Sequence, residues 1–160
     1  MHLLTDLAKT TAGEDGPFEL HIRRARSWYG KGFLKPCAYR GEGKTAAAEF
    51  DDETLALFSS MIALTDDANF GDRQLAQFLQ GLSPVNFQPT PNKIEKTGLM
   101  SKAIASVKAG KKSLLLVNLP DKPNYAANVR LVEAGMLKPD AFAHATTTVV
   151  LNLSKIWVQP

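Results

Sequence analysis

The sequence predicts an α+β fold: a small mixed or antiparallel sheet of about four strands, with about five helices packed mainly on one face. Three observations carry this. Helical and extended patterns follow one another as α-β-β-α-α-α-β-α-β, which is not the strict alternation of a parallel α/β protein. SLLLVNL (113–119) is a short, continuous apolar run, as expected of a central strand buried on both faces. TTTVVLNLSKIWV (146–158) is rich in β-branched residues and reads as a long closing strand.

The elements follow in order. Residues 2–9 carry Leu3, Leu4 and Leu7 on one side, a short helix. TTAGEDGP (10–17) is a loop. FELHIRRARSW (18–28) alternates Phe18, Leu20 and Ile22, the pattern of a half-buried strand. YGKG (29–32) is a turn, and FLKPCAY (33–39) a second strand, placed at an edge because Pro36 cannot donate to a ladder. Asp51, Asp52 and Glu53 then favour a helix N-terminus, with Leu55, Phe58 and Ile62 as its buried stripe. Asp72 is expected to cap the next helix, whose Leu75, Phe78, Leu79 and Leu82 keep helical spacing until Pro84. PVNFQPTP (84–91) is an extended connector. A basic helix follows at about 93–109, ended by Gly110. Pro123 opens a further helix with the stripe Tyr125, Val129 and Val132, and Gly135 closes it.

The chain has 160 residues, the size of one globular domain (1–160), and 44% of them are hydrophobic, enough to bury a core. One cysteine, Cys37, rules out an intrachain disulfide and suits a reducing compartment. The opening residues have no basic start, and Asp6 and Lys9 break their apolar run, so no signal peptide is expected. No apolar run is long enough to span a membrane. The expectation is a soluble cytoplasmic protein with no membrane partner.

Charge is laid out in blocks. Residues 21–44 hold seven Lys/Arg and one acid, 45–72 hold seven acids and no Lys/Arg, and 93–112 hold six lysines and one acid. Such blocks can steer an anionic partner, or dock on an acidic protein or on a second copy of the chain. Within the first block, RRARSWYGKGFLKPCAYR interleaves six basic residues with four aromatics. Single-strand binders use that pairing, with cations on phosphates and rings stacked on bases. The leading expectation is therefore a nucleic-acid-binding protein without catalysis of its own. Arg23, Arg24, Arg26, Lys31, Arg40 and Lys44 would contact phosphates, and Trp28 and Tyr39 would stack on bases. On the strand reading, Arg24, Arg26 and Trp28 share a face and Arg23 points the other way. The lysine-rich helix supplies a second positive surface.

The alternative lies in AYRGEGKTAAAEF (38–50). Ala38, Gly43, Lys44 and Thr45 meet the loose pattern of a nucleotide-binding phosphate loop. Such a loop joins a buried apolar strand to a helix N-terminus. The segment before it, KGFLKPC, is neither buried in pattern nor apolar. A hairpin turn at RGEGK is the expected structure, with Gly41 and Gly43 supplying positive φ and TAAAEF pairing back on FLKPCAY.

Other constellations are weaker. DDANFGD (66–72) clusters Asp66, Asp67, Asn69 and Asp72, but its glycine is misplaced for a calcium loop, and Phe78 stands where the bidentate Glu belongs. His2, His21 and His144 form no zinc motif, and Asp140 with His144 is a single pair, not a catalytic site. Ser83, in GLSPV, lacks the closing glycine of a nucleophile elbow, and Pro84 fills the next position. Cys37 lies near Lys35 and Arg40 without a base, which reads as a small buried residue. No cofactor or metal is expected.

Overall fold

The computed structural model describes residues 1–43, 46–82, 98–122, 125–137 and 147–157. The α+β class holds: among these residues there are six helices and two antiparallel sheets, of two and three strands. The chain falls into two compact units, Met1–Ile62 with Trp157–Pro160, and Ala63–Ile156. The connector at 84–91, Ser83, Asp140, His144 and Lys44 lie outside the described residues.

In the first unit, α1 (Leu4–Ala12) packs against α2 (Phe18–Gly30). The Asp6 carboxylate accepts the Leu3 N–H at 2.8 Å, which satisfies one of the orphan donors at the start of α1. The strand expected at 18–28 is this second helix. His21, Ile22, Ala25 and Trp28 are its buried residues, and Leu20, inward on the strand pattern, is exposed. Phe18 and Ile22 are four apart, so they satisfy both periods. Ala25, at an odd offset from Ile22, fits only the helical one. Gly32 ends α2 with φ 73, where a side chain would be strained. Its N–H donates to Tyr29 O, and Phe33 N–H to Trp28 O at 2.9 Å, the paired bonds of a glycine C-terminal stop.

A short hairpin follows: β1 (Ala38–Arg40) and β2 (Ala47–Glu49) pair antiparallel, with Tyr39 opposite Ala48 and Arg40 opposite Ala47. Beyond it, His2 and Phe50 exchange two backbone hydrogen bonds of 2.8 Å. Asp51 is the cap of α3 (Asp52–Ala68); its Oδ1 accepts from Thr54 N–H and Thr54 Oγ1–H, each at 2.8 Å. Trp157 closes the unit. Its indole N–H is shared between Ala56 O at 3.1 Å and Ser60 Oγ at 3.3 Å, and Ser60 Oγ–H itself donates to Ala56 O.

The second unit takes the end of α3, then α4 (Asp72–Leu82), α5 (Leu99–Lys108) and a sheet ordered β4-β3-β5. β3 (Ser113–Leu119) is the expected central strand, and Leu115, Leu116 and Val117 are fully buried. Its antiparallel neighbours are β4 (Asn128–Glu133) and β5 (Thr147–Asn152). Helices cover one face. Gly81 of α4 lies against Val129, which pairs with Val117, and Ser106 of α5 hydrogen-bonds Ser113 at 2.6 Å. Ser113 and Val117 point to the same side of β3.

Three local expectations are corrected here. The helix expected after Pro123 is strand β4, because Val129 and Leu131 face the helices beside Val117 and Leu115. Gly135 sits in a single 3-10 turn (Ala134–Met136) after it. The closing strand stops at Asn152, and α6 (Leu153–Ile156) is one helical turn that buries Leu153. Asp72 is the first residue of α4, not its cap. That role falls to Gly71, whose N–H donates to Gln74 Oε1 at 3.1 Å. Gly110, with φ 75, ends α5 as expected.

Candidate nucleic-acid interface

On helix α2, Arg23 and Arg26 are three residues apart and both exposed. Neither has an ion-pair partner among the described residues. Ser27 is exposed beside them, four residues after Arg23, and Lys31 is exposed four residues further on. Arg24 is half-buried and engaged within the fold. The face-sharing expected of a strand is thus reversed: Arg23 and Arg26 lie together, and Arg24 does not join them.

Trp28 is not a stacking surface. Its side chain is 4% exposed, and its ring meets Phe58 edge-on, with centroids 5.5 Å apart. The helical period turns it inward with Ile22 and Ala25. Tyr39, by contrast, is 60% exposed. Its hydroxyl hydrogen-bonds that of Tyr29, near the end of α2, and the Tyr29 ring stands perpendicular to Phe50 at 5.8 Å. The hairpin is thereby tied to the end of the helix that carries the arginines.

Arg40 is adjacent to Tyr39 in sequence, but the pleat sends it to the opposite face of the hairpin. There its guanidinium holds the Glu49 carboxylate at 2.6 Å. That pairing consumes the charge that a phosphate would meet. Cys37 is exposed, contrary to the expectation of a buried residue, and its thiol donates to Glu49 O at 3.3 Å.

Residues 38–40 and 47–49 pair as the two arms of a hairpin. A phosphate loop needs a helix to follow, and here β2 follows and pairs back on β1. Gly41 and Gly43 take φ 93 and 64, the positive values expected of them. The nucleotide-binding alternative loses its strand-to-helix setting. Asp66 and Asp67 belong to the last turn of α3. Among the described residues, no three His, Cys, Asp or Glu side chains are placed to hold a metal ion.

The lysine-rich helix belongs to the second unit. Lys102 and Lys108 are both exposed but six residues apart, on different sides of α5, and Lys111 is paired with Glu133 at 2.6 Å. They do not form one row as Arg23 and Arg26 do. Lys93 and Lys96 lie outside the described residues.

One titration reports on the tie between helix and hairpin. The hydrogen bond with Tyr39, then partial burial, raises the Tyr29 hydroxyl above the ordinary phenol value of 10.0. The fold therefore favours the neutral phenol. This contribution is fully present below about pH 10 and is lost as pH rises through the folded value. In Tyr39→Phe the Tyr29 titration should shift down toward 10, read from ultraviolet phenolate absorbance. An unchanged titration would show that the hydroxyl pair does not exist in solution.

The chain matches no protein-family model, no curated protein and no solved structure.

Proposed function

We propose that the first unit binds nucleic acid through phosphate contacts made by Arg23 and Arg26. The observation that carries the reading is the pair of exposed arginines on one stripe of α2, with no acidic partner among the described residues. Arginine forks suit phosphate oxygens, and an exposed, uncompensated pair is available to them. Arg40, held by Glu49, makes no more than a minor contribution.

Two phosphates neutralised on a duplex give a slope of about −1.8 in log affinity against log salt. Affinity should then fall roughly 12-fold between about 50 and 200 mM salt. Fluorescence anisotropy of labelled oligonucleotides measures this. Arg23→Ala with Arg26→Ala should flatten the slope by about two and weaken binding of all sequences alike. The absence of any salt-dependent binding at low ionic strength would overturn the reading.

A further inference from the structure

We infer that strand β5 pairs with β5 of a second copy of the chain, about a two-fold axis at Val150. Two three-stranded sheets then become one continuous sheet. The inference goes beyond the nucleic-acid reading and does not depend on it.

The two edges of the sheet are built differently. Leu116 of β3 stands between Arg130 on β4 and Val150 on β5, and both neighbours are exposed. An edge strand offers a row of unpaired N–H and C=O groups, and proteins guard it with charge, proline, a bulge or shortness. β4 carries Arg130 and Glu133. β5 has no such guard. Thr147–Asn152 holds no charge and no proline, and all six residues pair with β3 in one unbroken register. Among the described residues, no strand lies on its outer side. Val150 is 43% exposed, on the sheet face away from α4 and α5.

A second copy fits this edge by symmetry. Two copies of one strand extend an antiparallel sheet when the two-fold axis runs perpendicular to it. That axis keeps every side chain on its own face, and residues directly opposite one another share a face. A residue can therefore oppose only itself or positions an even number away. With the axis at Val150, Val150 faces its own copy, Val149 faces Leu151, and Thr148 faces Asn152. Each pair sets apolar against apolar or polar against polar. An axis at Val149 would set Val150 against Thr148, and one at Leu151 would set it against Asn152. The axis at Val150 also sends the two copies of Lys155, the first charge after the strand, to opposite ends of the pairing.

Sedimentation equilibrium of the full chain over a dilution series tests this. The mean mass should rise toward that of a dimer with concentration. Val150→Lys should raise the dissociation constant about tenfold or more, because it places like charges directly opposite each other on the edge. Its thermal melt at high dilution should match that of the unsubstituted protein, since the side chain is exposed. In a Cys37→Ser background, Val150→Cys should cross-link two chains under an added oxidant. Thr148→Cys should not, because its two copies stand about 13 Å apart along the strands, beyond disulfide reach. A monomer mass up to about 1 mM would overturn the inference. So would a dimer that Val150→Lys leaves intact, or cross-linking through Thr148→Cys in place of Val150→Cys.

Discussion

Trp28→Ala should cost the protein about 3–5 kcal/mol of stability, with or without nucleic acid present. The side chain is 4% exposed and belongs to the buried stripe of α2 with Ile22 and Ala25. Truncation loses the transfer energy of an indole and leaves a cavity beside Phe58, whose edge-on contact at 5.5 Å is also lost. The helix stop does not compensate. The Phe33 N–H bond goes to the Trp28 carbonyl, so it survives the substitution and keeps the backbone from collapsing into the hole. Native stabilities are only about 5–15 kcal/mol, so this single change is expected to leave the protein marginal. Urea denaturation followed by circular dichroism gives the value. A loss below about 1 kcal/mol would mean that the ring is not in the core, and would restore it as a stacking candidate.

Gly81→Ala should also destabilise, by about 1–3 kcal/mol, although the same change in an ordinary helix stabilises by about 1 kcal/mol. An added Cβ would stand 2.1 Å from Ala127 O and 2.8 Å from Val129 Cγ2. The first of these atoms is backbone, and it is pinned. Ala127 N–H donates to Gln77 O at 2.9 Å, and Gln77 Nε2 donates to the Lys122 and Tyr125 carbonyls. Lys122, Tyr125 and Ala127 are therefore tied to α4, and Ala127 cannot step aside without breaking these hydrogen bonds. Gly30→Ala is the matched control, since nothing lies near its Cβ position, and it should be neutral or mildly stabilising. If both glycines respond alike in thermal melts, the close approach of α4 to β4 is wrong.

Sequence patterns revealed those parts of the fold in which one period had no competitor. SLLLVNL could only be an interior strand once its length excluded a helix, and its bounds match β3. Gly41, Gly43 and Gly110 marked the backbone correctly, because positive φ is a local demand. Errors arose where two periods shared residues. Phe18 and Ile22 fit both, and the buried His21, polar by type, hid the helical stripe. Tyr125, Val129 and Val132 sit at helical spacing, yet Val129 and Val132 lie in a strand whose place was decided by the open edge of β3, a distant partner. Val149, Leu151 and Leu153 continue the strand alternation past the point where the strand ends, so no local signal announces α6. The candidate site suffered from the first of these errors. Once 18–30 is helical, Arg23 and Arg26 come together, and Trp28 turns inward. None of that was visible at period two.

The indole bond of Trp157 to Ala56 spans 101 positions of the chain. It makes the whole of Ala63–Ile156 an insertion between two parts of one unit. During synthesis at about 5–20 residues per second, Ala56 and Ser60 must wait roughly 5–20 s for their partner. The loop that the bond closes is long, but closure entropy grows only with the logarithm of length, so lateness and not energy sets its place in the order of events. Of the two units, the first is thus the earlier to emerge and the later to be complete.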